Sequence, residues 1–574
     1  MSAGYGLFGF NPDGGTFELM AMQQGVLSGW PSSGSFIQRR GSFTDGVNTA
    51  MIKAGQQTYG DVLIINNGID NPIAMYQDHT FHDLLSNQYY SIPKTQAMCY
   101  YGDRVWTLLK NNLAFSDAYP PTYYPTSSQI VGNQTTYSYT TGDAVKVTID
   151  TVITDSISLS GCSTIAQVAS AINTACGGIY ATVGSYPNPT GVLVITSPTV
   201  GTSSVVTITD ATSMASLHPP RTIVNNLFAT DPTTTTGYAP FDLVANYYRI
   251  PVGTAQALIA TRDQGIVALG SDQIWQLLPS QTPAATDQPT KVLDIGCVAG
   301  NTAVQVADDI IFLAPDGIRG LFRTQLDKLQ TGQSFPLSYP IPDQINSINW
   351  AAINMACAVF YSNKYIISLP VNGSSYNNIC LVYYPALSTA FYASTNQSSP
   401  ASQKSWVVYE GWNISRFAVM NIGGQQNLYG IDSITGQVYQ LFKGTTDNGN
   451  TIVYNEQSKA EDFKAPMQYK YGGEFKIRAL GGNGTLVLSA NADGNGWTQL
   501  GSLSLTATGI TFPTTFPVNF PSSVEVMGTF HLDDAGIIKF KRCQFETYSN
   551  TNAADITIIE SVATCFQEPY ISEG

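Results

Sequence analysis

Along most of the chain, apolar and polar positions form short bursts the length of a β-strand, separated by Asn, Asp and Gly. Asp61-Val62-Leu63-Ile64-Ile65-Asn66-Asn67-Gly68 is an apolar run closed by Asn-Gly, which predicts a strand and a tight hairpin turn. Met98-Cys99-Tyr100-Tyr101-Gly102-Asp103-Arg104-Val105-Trp106 predicts strand, Gly-Asp turn, strand, and Lys110-Asn111 marks the next turn. Ala144-Val145-Lys146-Val147-Thr148-Ile149 alternates with period two, as a half-buried strand does. One stretch breaks the rhythm. Ile165, Val168 and Ile172 share a helical face, Ser163 or Thr164 is placed to cap it, and Cys176-Gly177-Gly178 ends it.

The unit of strand, short Asn/Asp/Gly turn and strand recurs. It returns at Gly265–Leu277, Thr302–Gly317 (turn Pro315-Asp316-Gly317), Ala356–Leu369 (turn Ser362-Asn363-Lys364) and Asn427–Phe442 (turn Asp432–Gly436). A spacing of about 40–50 residues per group is that of β-propeller blades; the rival is a stack of β-sandwiches. Two regions depart from it. Residues 131–218 read as an inserted β-α-β-β-β unit, and 451–574 as a C-terminal β domain. The expected organisation is an N-terminal arm (1–45), a first propeller part (46–130), the insert (131–218), a second propeller part (219–450) and a β-sandwich-like domain (451–574). The fold class is mainly β: a β-propeller with an inserted small α+β domain.

Composition sharpens this. Of 574 residues only 11% are charged, against about 25% in ordinary globular proteins, while 43% are hydrophobic and 11% aromatic. Long helical rods and disordered chains are excluded. A surface so poor in charge suits one covered largely by other protein. The net charge of -14 disfavours tight nucleic-acid binding. No apolar run reaches the ~18 residues of a membrane span, and the N-terminus lacks the features of a signal peptide.

Candidate chemistry is sparse. The eight cysteines form no CxxC pair, which argues against zinc and for small buried core residues; Cys162 and Cys176 could close a short loop. His79 and His82 could share a metal with Asp78 or Asp83, but a solvated loop is the preferred reading. Asp308-Asp309 with Asp316 could mimic a glycosidase carboxylate pair; their turn positions favour local hydrogen bonding instead. Asp493-Gly494-Asn495-Gly496 has oxygen ligands suited to calcium but lacks the twelve-residue loop and its closing Glu. No catalytic, cofactor or metal residue is assigned, and the protein is not expected to be an enzyme.

The phrases Asp61–Pro72, Tyr101-Gly102-Asp103-Arg104-Val105-Trp106 with Leu113–Asp117, Ile274-Trp275, Gly296-Cys297-Val298-Ala299 and Ile311–Ile318 resemble tail tube or nozzle proteins of short-tailed bacteriophages. The resemblance spans roughly residues 40–120 and 220–445, and in the insert Ile165–Asn173 with Leu193–Ser197 resembles small β-α-β modules of flagellar hook-associated and phage tail proteins. It implies a structural virion protein made in the host cytoplasm. Six copies would form a homo-hexamer between adaptor proteins and tail fibres, a channel for DNA ejection that double-stranded DNA crosses without sequence-specific binding. The rival is a carbohydrate-binding or polysaccharide-degrading propeller; a surface adhesion propeller is disfavoured by the N-terminus.

Overall fold

A computed structural model describes residues 4–567, apart from 14, 56–60, 85–91, 117–127, 132–134, 137–142, 185–189, 200–204, 211–233, 237–246, 263–264, 281–282, 284–286, 333, 387–405, 445, 482–483, 506–523 and 552–555. The protein is mainly β, and all strand pairing within its sheets is antiparallel. It divides into two compact units, 1–441 and 442–574.

In the first unit, seven sheets of three or four strands follow one another along the chain and close into a β-propeller-like ring. Their first strands are Gly4–Phe10, Ala50–Ala54, Met98–Tyr101, Ala255–Thr261, Val304–Val306, Cys357–Tyr361 and Ile414–Ile422. Each first strand adjoins the next, and the last adjoins the first. Period-two alternation explains how this is possible. A central strand buried on both faces gives alternate residues to two cores. Leu63 and Ile65 pack toward the first sheet, Val62 and Ile64 toward the third. Ile266 and Ala268 face the third sheet, Val267 and Leu269 the fifth. Tyr365 and Ile367 face the fifth, Ile366 the seventh. Tyr429 and Ile431 complete the circle against Leu19 and Ala21 of the first sheet.

That closure draws in the N-terminal segment. Residues 1–45 were expected to be an arm because they are rich in glycine, yet Gly4–Arg40 supplies the whole first sheet. The glycines are there because two backbones meet. A Cβ on Gly9 would lie 2.6 Å from the Val419 carbonyl oxygen, and one on Gly4 would lie 2.1 Å from Ile431 Cδ1. Ser415 Oγ donates to the Gly4 carbonyl at 2.6 Å across the same seam.

Local signals did better where the structure is local. Gly102 and Asp103 both have positive φ (56° and 57°), the turn that joins Met98–Tyr101 to Arg104–Leu109. The helix Ile165–Cys176 has Thr164 and Gln167 as a capping box and Gly177 in the left-handed conformation after it. It packs through Ile165, Val168 and Ile172 on strands Ala144–Ile149, Leu193–Thr196 and Val205–Asp210, around a core of its own, between the third and fourth strands of the third sheet. The predicted Asn-Gly hairpin is instead a longer loop. Buried Asn66 and Asn67 accept from its backbone amides at Gly68, Ile69 and Asp70, Asn66 also takes the Thr95 amide from the segment before the third sheet, and the next strand starts only at Ile73. The Pro- and Tyr-rich region from 119, and His218, lie mostly or wholly outside the described residues.

The second unit holds two four-stranded sheets that share one core, including Phe475, Ile477, Leu488, Phe540 and Phe545. Phe475 stacks on Phe545 with ring centroids 4.6 Å apart. Among the described residues, no helix is long and apolar enough to cross a membrane.

Candidate functional site at one end of the ring

Because every sheet is an antiparallel meander, the loops entering first strands and the loops joining second to third strands share one end of the ring. Three of these loops converge there. The 3-10 turn Trp350–Met355 leads into the sixth sheet, and Asn349 starts it by accepting from the Ala351 amide. The loop 370–378 is tied to it: the Asn349 amide donates to the Ser374 carbonyl at 2.8 Å, and the Ile348–Val371 bridge adds a second link. The third is the entry to Ile414–Ile422.

The carbonyls that end this turn organise the site. Asn48 Nδ2 donates to the Asn354 carbonyl at 3.0 Å. The buried Asn377 amide donates to the carbonyls of Met355 and Ile414, both at 2.8 Å. Arg416, also buried, donates through Nη1 to the carbonyls of Ser415 (2.5 Å) and Met355 (3.4 Å). Its partners are backbone carbonyls and the Cys357 thiol, and no carboxylate lies within ion-pair distance of it among the described residues. Burial pulls the guanidinium below its usual range, offset in part by Cys357. Burial likewise lifts the Cys357 thiol to about 12, so it stands as a neutral thiol.

Three buried polar atoms in this cluster have no protein partner: Asn48 Oδ1, Asn377 Oδ1 and Arg416 Nη2. Two accept and one donates. Buried polar atoms are nearly always paired, so three around one pair of consecutive carbonyls are unusual. Exposed aromatics flank the cluster. Trp350 opens the turn and Tyr376 precedes Asn377, each 39% exposed. None of this was visible in the sequence, because residues 48, 377 and 416 come from the second, sixth and seventh sheets.

The residues singled out from the sequence lie elsewhere. Asp309 starts the strand Asp309–Ala314 and Asp316 follows its end, so at about 3.3 Å per residue they stand roughly 17 Å or more apart. That is too far for a carboxylate pair flanking one glycosidic bond. Asp309 instead accepts from the amides of Ile310 (2.7 Å), Phe322 (2.9 Å) and Arg323 (3.4 Å), capping the helix Leu321–Thr331. Burial raises its pKa, and these amides oppose the rise. Asp316 is gripped by Arg319, with Nε to Oδ1 at 2.9 Å and Nη2 to Oδ2 at 2.5 Å, which holds its pKa below the ordinary value. Asp308 is exposed beside the strand start.

His79 pairs with a buried carboxylate. Its Nε2 bonds Glu18 Oε2 at 2.8 Å, and Arg39 holds the other oxygen through Nε (2.8 Å) and Nη2 (2.6 Å). Asp78 closes its own turn on Thr80, and His82 lies in the strand Phe81–Asp83. No group of three possible metal ligands occurs among the described residues. The Asp493 oxygens accept from the backbone amides of Lys541 (2.9 and 3.1 Å) and Arg542 (2.8 Å), which makes this turn a strut rather than a calcium loop. All eight cysteines are free thiols, Cys162 and Cys176 included.

No family model and no curated protein matches the chain. Among solved structures it is similar to exo-beta-1,3-galactanase from Phanerochaete chrysosporium with galactose (9% identity, 53% of this chain and 80% of that chain, TM-score 0.17). It is also similar to Trypanosoma rangeli sialidase (8% identity, 93% of each chain, TM-score 0.19). These named neighbours are glycan-cleaving enzymes and not tail components. The expectations of a hexameric phage nozzle subunit and of a protein without enzymatic activity are corrected on that ground and are not carried forward. Overlays this loose do not transfer the neighbours' activities to this chain.

Proposed function

We propose that the chain is a glycan-binding protein built on a seven-bladed β-propeller, with a small α+β module inserted in the third blade and a β-sandwich after the last. The ligand would bind at the ring end that carries Asn48, Asn377 and Arg416. The observation that supports this is the pair of exposed aromatic rings, Trp350 and Tyr376, on two loops tied to each other through Asn349 and Ser374. Sugar C–H faces stack on Trp and Tyr, whose rings lose little entropy on binding. Rigid loops tied at Asn349–Ser374 keep the groups preorganised.

The test is a glycan array probed with the purified full chain, followed by incubation of each hit and measurement of released reducing ends. The expected result is selective retention of one glycan class that Trp350→Ala and Tyr376→Ala each weaken. Retention of none, or retention untouched by both variants, would overturn the reading. The reducing-end measurement reports whether the bound glycan is also cleaved.

A further inference from the structure

The second unit carries a cleft of its own, of about 560 Å³, lined by Ala460, Pro466, Asn491, Asp493, Lys541 and Arg542 among others. In a chain of net charge -14 its chemistry is unusual. Lys541 and Arg542 are both exposed, and no carboxylate pairs with either side chain among the described residues. The one acid in the wall, Asp493, is occupied. Its two oxygens take the backbone amides of Lys541 and Arg542, which fixes this corner without drawing on either cationic side chain. Asn491 Oδ1 is likewise spent on the Gly496 amide, at 3.1 Å. Donors therefore predominate in the cleft. Beside it Tyr469, 37% exposed, has Lys541 Nζ 4.9 Å and Lys539 Nζ 4.1 Å from its ring centre. These contacts hold the cations without neutralising them.

We propose that this cleft binds an acidic saccharide unit, its carboxylate or sulfate held by Arg542 and Lys541 and its ring lying toward Pro466 and Tyr469. A guanidinium offers a paired-donor fork that fits either oxyanion. The proposal rests on the glycan-binding reading and supplies a ligand class and a second site for it.

The test titrates the full chain, in 150 mM salt to screen diffuse charge, with oligogalacturonate, sulfated dextran oligomers and neutral dextran oligomers. Arg542→Gln with Lys541→Gln leaves the backbone amides on Asp493 intact, so the corner keeps its fold. The double variant is expected to lose at least about tenfold in affinity for an acidic oligomer. Lys443→Gln, which removes a charge elsewhere in the unit, should change it less than about twofold. The two acidic probes separate carboxylate from sulfate as the recognised group. Unchanged binding by the double variant, an equal loss in Lys443→Gln, equal affinity for the neutral oligomer, or no acidic binding by the native chain would each overturn the proposal. Loss of ring-end binding in Trp350→Ala with no effect of Arg542→Gln on acidic binding sinks this inference alone. The converse pattern sinks the ring-end reading alone.

Discussion

Gly29 offers a sharp test because simple propensity and the observed geometry predict opposite signs. In a strand interior, replacing Gly by Ala ordinarily gains roughly 0.5–1 kcal/mol. Here a Cβ would stand 1.9 Å from Glu18 Oε1 and 2.4 Å from its Cδ. Glu18 is 3% exposed and its carboxylate lies over Gly29 to reach Arg39 on one side and His79 on the other. Moving it breaks both contacts. Separating a buried ion pair costs about 3–5 kcal/mol. Arg39 and His79 are partly exposed and regain water, so about 2–3 kcal/mol is the appropriate loss for Gly29→Ala after the propensity gain. The assay is unfolding of Gly29→Ala, Glu18→Ala and the double variant, followed through the transition of the first unit because a two-unit chain need not unfold in one step. If the methyl acts only by displacing the carboxylate, Gly29→Ala becomes neutral or mildly stabilising in the Glu18→Ala background. A stable Gly29→Ala single variant, or the same loss in both backgrounds, refutes the reasoning.

Two further predictions follow from contacts described above. Gly9→Ala drives a methyl against the Val419 carbonyl at the ring seam, and should cost about 1–3 kcal/mol and loosen amide protection in Gly4–Phe10 and Ile414–Ile422, read by hydrogen exchange. Asp316 has a folded-state pKa lowered by Arg319, so its stabilisation is present above the ordinary carboxylate value and is lost as pH falls through the lowered one. Asp316→Asn should therefore cost about 1–2 kcal/mol at neutral pH, the half-exposed carboxylate being discounted for solvent, and flatten the acid limb of the stability profile.

The sequence was most informative where a structural decision is local. Turn residues at Gly102-Asp103 and the capping box of Thr164 and Gln167 each lie within a few positions of what they determine. The unbroken apolar runs in Val62–Asn66 and Gly265–Gly270 marked buried strands but could not say which core each face would join. Gly-rich Gly4–Phe10 looked featureless because its glycines answer to Val419 and Ile431, some 400 residues away. The helix Leu321–Thr331 went unforeseen for a similar reason: Gly320 gives it no side-chain cap, and Asp309 supplies one from another strand. The ring-end cluster is the extreme case, since Asn48, Asn377 and Arg416 meet only once the ring has closed.

The glycan-binding account is tested most directly by hydrogen–deuterium exchange of the full chain with and without the best oligosaccharide from the array. The account predicts slowed exchange at 349–356, 370–378 and 413–416, the loops that hold Asn377, Arg416 and the two aromatic rings, and loss of that protection in Trp350→Ala. Protection absent from these loops at saturating ligand would contradict it.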